Sequence, residues 1–294
     1  MNKKYIPYLL MLPIMVYTLL LIVYPLLFSA VLAFKKFDPI SGLSLFNMKT
    51  VGFKNFIKIF GDNAFYESLF NTVEILIIGV LVQLIFSFLI ALALNKKTTI
   101  YTGTALTLIL TPLVMPMVAS GLTWRMLFHI EYGAINGIIS SLGFNSVNFL
   151  GDPSLVKASI ILVDTWQWTP LMTLILFAGL KSIPEEIMEA SKVDGANSLS
   201  TLLYITIPLL RWPILVALLI RITDAWKMFD YVEALTGGGP GYSSQTLSYY
   251  VYLKGFRRFE LGQAASVSWI MLIIIYIVCL ILVKILKPKT GESF

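Results

Sequence analysis

The sequence predicts an all-α integral membrane protein with six transmembrane helices, and three observations carry that prediction. Hydrophobic residues make up 57% of the 294 and charged residues only 13%, about half the charged share of a soluble domain. Apolar residues gather into runs of about twenty or more, the length that crosses about 30 Å of hydrocarbon. The basic residues behind the formal charge of +6 are dispersed between those runs, as membrane flanks are, and form no nucleic-acid patch. A soluble enzyme, a secreted disulfide scaffold and a disordered tail are excluded on the same grounds. One cysteine, Cys279, and one histidine, His129, leave no internal disulfide and no His/Cys cluster for a transition metal.

The first span, 8–34, follows Met1-Asn2-Lys3-Lys4 and is far longer than the apolar core of a signal peptide, so it reads as a retained anchor. The second, 69–94, is closed by Asn95-Lys96-Lys97, and the third covers 104–128. Asp152-Pro153 precedes the fourth, 156–180. The fifth, 207–229, is the least hydrophobic, with an unbroken apolar stretch only from Ile214 to Ile220, and Lys284 to Lys289 close the sixth, 264–286. With both termini in the cytoplasm, the inner loops (1–7, 95–103, 181–206, 287–294) hold eight Lys/Arg in 50 residues and the outer loops (35–68, 129–155, 230–263) hold eight in 95. Density in short flanks is what the positive-inside effect weighs, and it places both termini inside.

The segment between the fourth and fifth spans, 181–208, is longer than a connector requires. Ser182 followed by Glu185 has the spacing of a capping box, Pro184 is tolerated in a first turn, and Glu185 and Glu186 complement the helix dipole there. Gly195 supplies a C-terminal stop. The prediction is a short helix outside the bilayer with Ile187, Ala190, Ser191 and Asp194 on one face. Three glutamates in five positions, Glu185, Glu186 and Glu189, suit anionic headgroups poorly, which favours docking on another protein over resting on lipid.

Here the sequence resembles a known family. Glu189-Ala190-Ser191, Asp194-Gly195-Ala196 and Ile205-Thr206-Ile207-Pro208 resemble the EAA loop of binding-protein-dependent ABC importer permeases. Gly52-Phe53-Lys54-Asn55-Phe56, Asn71-Thr72, Tyr132-Gly133-Ala134-Ile135-Asn136, Trp166-Gln167-Trp168-Thr169-Pro170 and Thr236-Gly237-Gly238-Gly239-Pro240-Gly241 resemble the carbohydrate-uptake permeases, in particular the first permease of maltose and glycerol-3-phosphate type systems. Two positions depart from the family pattern: Ser191 stands where alanine is usual, and Leu202 where an aromatic often follows the glycine.

The resemblance implies a type I permease fold over the single domain 1–294, with a cytoplasmic coupling helix carrying Glu185, Glu186, Glu189, Ala190, Ser191, Asp194, Gly195 and Ala196, followed by Pro208. It implies a second permease subunit, two cytoplasmic ATPase subunits, an extracellular lipid-anchored or periplasmic solute-binding protein, a sugar substrate, foremost an oligosaccharide, or a related polyol, and a bacterial plasma-membrane location. This chain has no G-x-x-x-x-G-K-[ST] stretch and so no phosphate-cradling loop; ATP and Mg would be handled by the ATPase subunits, and no cofactor or metal is expected here. ATP binding would move the coupling helix and rock the bundle between inward-open and outward-open states.

The ionisable residues within the spans or at their outer edge include Glu74, Arg125, Asp164, Arg221, Asp224, Lys227 and Asp230, each costing about 2.5–3.5 kcal/mol at a helix centre unless paired or wet. With the termini inside these seven fall in the outer half or at the outer edge, as suits a solvated vestibule. Arg221, Asp224, Lys227 and Asp230 also alternate in sign at three-residue steps, so pairing along the helix is an equal reading. Trp166 and Trp168, with Asp164 and Gln167, mix flat rings and acceptors of the kind that stack on sugars, although Trp is also an interfacial anchor. A secondary transporter driven by an ion gradient is the alternative, motivated by the intramembrane acids. A membrane-embedded enzyme finds no nucleophile with a base.

Overall fold

The computed structural model describes residues 6–37, 48–96 and 99–286; Lys3, Lys4, Lys97, Lys287 and Lys289, counted above as flanks, lie outside the described residues. Helices dominate, and the extended pairing among the described residues is an isolated antiparallel bridge between Lys35 and Thr50. The chain divides into two compact units, Met1–Tyr66 with Tyr250–Ile273, and Glu67–Tyr249 with Ile274–Phe294.

The first unit opens with α1 (Ile6–Thr18), a π-helical turn (Leu19–Val23) and α2 (Tyr24–Ala33). Pro25 cannot donate to Leu21, and the π turn before it, in which the Tyr24 N–H reaches back to the Leu19 carbonyl, absorbs the missing rung. No residue in the most apolar window of this helix is buried within the chain. The short helix α3 (Lys54–Phe60) is tied back to the end of α2 by Asn55, whose Nδ2 donates to the carbonyls of Ala33 at 2.8 Å and Lys35 at 3.0 Å. Around Leu32, Ala33 and Ala265 pack Phe34, Phe37, Met48, Phe56, Leu261 and Trp269. Gly262, at the start of α15 (Leu261–Leu286), sits so close to the Lys35 carbonyl and to Asn55 that no Cβ fits.

The second unit holds most of α4 (Asn63–Asn95), then α5 (Thr99–Leu110), a 3-10 turn (Thr111–Val114), α6 (Met117–Leu127), α7 (Ala134–Ser141) and α8 (Val156–Lys181). Where the sequence predicts one span over 104–128, the helix is broken and bent by 92°. Pro116 forces Met115 into extended backbone (ψ 134), because the residue before a proline clashes in the helical region. Beyond α8 come α9 (Glu185–Val193), α10 (Ser198–Thr201), a π turn (Leu202–Thr206), α11 (Ile207–Leu209), α12 (Arg211–Ala225), α13 (Asp230–Leu235) and α14 (Leu247–Tyr252). The stretch 207–229 is likewise not one straight span: the chain bends by 64° between Leu209 and Arg211, where Pro213 has no N–H for the Leu209 carbonyl, and α12 ends at Ala225. Among the described residues four helices remain long and apolar enough to cross a membrane, or up to six spans if each bent pair counts as one.

α8 is the most enclosed of these helices. Leu176 and Leu180 pack with Ala91 of α4 and Leu210, flanked by Leu84, Phe88, Phe177 and Ile214. At the crossing of α8 and α12, a Cβ on Gly179 would stand 2.6 Å from Pro213 Cγ, so the close approach requires glycine. α6 and α13 meet in the same way, with Gly121 against the Ala234 methyl.

Candidate functional site

The α9 segment is built as a projecting knob. Its N-terminus differs from the predicted capping box. Helix α9 starts at Glu185 with Pro184 as N-cap and no side-chain cap. The Ser182 hydroxyl instead donates to the Gly179 carbonyl at 2.8 Å, because Ser182 still closes α8. The other end is a full Schellman motif: Ala196 N–H donates to the Ser191 carbonyl and Gly195 N–H to that of Lys192, with Gly195 at φ +74. Ser191 is buried and its hydroxyl bonds the Met188 carbonyl. Ile187 and Met188 are half-buried beside it. Ala190 and Asp194 do not share that inner face, as predicted from spacing, but lie exposed with Glu185, Glu186 and Glu189. The apolar Met188 turns the stripe inward, and Asp194 is already past the helix as its C-cap. Ala196 is half-buried and Pro208 enters α11 in its first turn.

A second constellation lies among α4, α8, α12 and α13. Arg221 is 1% exposed and spends its guanidinium inside the protein. Nε donates to Gln83 Oε1 at 2.7 Å, Nη1 to Asp224 at 3.0 Å, and Nη2 forms an ion pair with both oxygens of Asp164. Gln83 Nε2 donates to Asp164 at 2.7 Å, and the Trp168 ring lies 5.1 Å from the guanidinium carbon. Tyr231 donates to Gln167 Oε1 at 2.8 Å, and Gln167 Nε2 donates to the Met115 carbonyl at 2.6 Å, at the break before α6. Each buried charge is thereby paired and hydrogen-bonded, as burial in lipid requires.

The contacts bear on the pairing reading of the charges. Arg221 pairs with Asp224 at i+3, as the alternation suggests, but its principal partner is Asp164 on another helix. Glu74 pairs with Lys157. A cavity of about 190 Å³ is lined by Asp164, Trp168, Arg221, Asp224, Lys227 and Asp230, among others. A neighbouring one of about 230 Å³ shares Phe229 and Asp230 and adds Arg125 and Glu233. Trp166 stands apart: it meets Trp124 edge to face at 5.5 Å in the wall of an apolar groove of about 910 Å³. Sequence reasoning misses Gln83, Lys157 and Tyr231. Gln83 lies inside an apolar run, where a search for charges passes over an uncharged polar side chain, and Lys157 lies at the very edge of its span.

The remaining motifs are amide clamps and one glycine turn. Asn71 Nδ2 donates to the carbonyls of Tyr242 and Gln245, and the Thr72 hydroxyl accepts from the Leu247 N–H. Asn136 exchanges two hydrogen bonds with the Val147 backbone and a third with the His129 carbonyl. In the turn after α13, Gly237, Gly238 and Gly241 all take positive φ. A Cβ on Gly238 would also strike the Tyr249 ring at 2.7 Å, so glycine is needed there twice over.

This architecture recurs in known proteins. The chain is 36% identical over 213 residues to the trehalose/maltose transport system permease protein MalF of Thermococcus litoralis, covering 72% of this chain and 70% of that protein. It is 32% identical over 289 residues to the sulfoquinovosyl glycerol transport system permease protein SmoG of Agrobacterium fabrum, covering 98% and 92%. The crystal structure of a bacterial ABC transporter involved in importing the acidic polysaccharide alginate has the same fold, with a TM-score of 0.85 at 21% identity over 99% of this chain and 98% of that one. A family model described as the inner membrane component of binding-protein-dependent transport systems matches residues 4–290. With four apolar helices, two bent pairs, a projecting α9 and that match over nearly its whole length, the chain belongs to the family of binding-protein-dependent transport system inner membrane components.

Proposed function

We propose that this chain is one permease half of an ABC importer. It forms a translocation pore with a second permease and carries a sugar, an oligosaccharide or a related polyol, delivered by an extracellular solute-binding protein. Both termini face the cytoplasm, and two separate ATPase subunits dock on α9. The observation that carries this reading is α9 itself: an exposed row of Glu185, Glu186, Glu189 and Ala190 on a short helix whose other face is anchored through buried Ser191. An acidic and small-residue surface held rigid by a Schellman motif suits protein docking better than lipid. Carbohydrate cargo is supported by the sugar-transporting relatives and by the Trp168 ring beside carboxylates in the cavity wall. The ion-gradient alternative draws less support, since Asp164 and Glu74 are each already matched by a cation.

The test is uptake by the reconstituted complex. Glu189→Lys is expected to abolish ATPase association. Gly195→Ala, which forces a side chain into left-handed backbone at about 1–2 kcal/mol, is expected to cut transport-linked hydrolysis while the bundle still inserts. If both variants dock ATPase and import sugar like the parent, the coupling assignment is wrong.

A further inference from the structure

Resting on the carbohydrate reading above, we infer that the wall formed by α12 and α13 selects uncharged saccharides and discriminates against acid-bearing ones. The two adjoining cavities carry four carboxylates, Asp164, Asp224, Asp230 and Glu233, against three cations, Arg125, Arg221 and Lys227. Of these three cations, Arg221 has little left to offer a cargo. Its Nε and Nη1 are given to Gln83 and Asp224, and its Nη2 to Asp164. Its guanidinium carbon lies 5.1 Å from the centre of the Trp168 ring, and its side chain is 1% exposed. A cargo carboxylate would have to displace protein carboxylates already seated on the guanidinium.

The carboxylates behave differently. Asp224 gives one oxygen to Arg221 and its side chain is still 33% exposed. Asp230 lines both cavities. Arg221 offsets Asp164, and Lys227 and Arg125 offset two of Asp224, Asp230 and Glu233, which leaves the two cavities with one carboxylate in excess. Ionised carboxylates accept hydrogen bonds and donate none, so they suit sugar hydroxyls, whereas a uronate meets like charge in a confined, low-dielectric setting where repulsion is least screened.

The experiment uses the complete importer with its binding protein in proteoliposomes. It compares labelled neutral trisaccharides (maltotriose, arabinotriose and raffinose) with trigalacturonate, all presented at saturating concentration. The expected result is uptake of at least one neutral trisaccharide at least tenfold faster than trigalacturonate. Asp230→Asn and, separately, Glu233→Gln should each narrow that ratio severalfold. Among the described residues neither takes part in an ion pair, and the ratio is a readout that a general loss of folding does not move. Trigalacturonate entering as fast as the best neutral sugar, or a ratio unmoved by both substitutions, overturns the inference and leaves the carbohydrate reading standing. Import of none of the four sugars overturns the carbohydrate reading, and this inference with it.

Discussion

Arg221 shows how a single buried side chain organises its surroundings. Its hydrogen bonds reach α4 through Gln83 and α8 through Asp164, and stay on its own helix through Asp224. Breaking a buried pair by removing one partner leaves an uncompensated charge, typically worth about 3–5 kcal/mol. Arg221→Met is therefore expected to lower the thermal midpoint of the purified complex sharply, and adding Asp164→Asn should recover part of the loss. An equal loss in the single and double variants would contradict this account. In the other unit, burial pushes the Asp62 carboxyl up, but hydrogen bonds from the Tyr250 hydroxyl, Lys254 and the Ala64 N–H outweigh it and hold the group below the usual carboxylate range. Burial, and the hydrogen bond to Asp62, push the Tyr250 hydroxyl up. A depressed folded-state value means that Asp62 stabilises the fold fully above the ordinary value of about 4 and ceases to do so as pH falls through the lower folded value. Thermal unfolding of the complex between pH 3 and 6 should show this acid limb, and Asp62→Asn should flatten it while lowering stability at pH 7.

Among the elements, straight helices were legible and bent ones were not. The spans at 69–94, 156–180 and 264–286 are apolar runs with polar ends, and period and length suffice for them. The breaks at Met115 and Leu210 depend on where prolines fall relative to lost rungs, and a hydropathy count does not register that. The capping box failed for a related reason: Ser182 has the right spacing to Glu185, but its hydroxyl was already committed to the end of α8. Motifs were legible as motifs, and their purposes became plain only with the contacts: Gln167 holds the Met115 carbonyl, and Asn71 holds two others. Tight crossings were invisible for the opposite reason, since a glycine reveals nothing until its neighbour is placed. Gly179 now makes a specific prediction. Gly179→Val would overpack the crossing with Pro213 and Leu210, costing about 1–3 kcal/mol, read as a lower unfolding temperature with α9 still competent to dock.

For the whole molecule, the composition that first placed it in lipid divides into two populations. The first helix, Leu10–Ala33, has no buried residue in its apolar window, whereas more than half of the corresponding window of α8 is buried. One helix is solvated entirely from outside the chain and the other largely from within it. The polar loops tell a complementary story. Asn55, Asn71 and Gln167 each fasten the backbone of a distant segment with a neutral amide, and Asn136 does the same within its own loop. Amides neither gain nor lose protons across the range in which carboxylates and imidazoles do. A permease fastened in this way keeps its connecting segments in shape whether its surroundings are sour or alkaline.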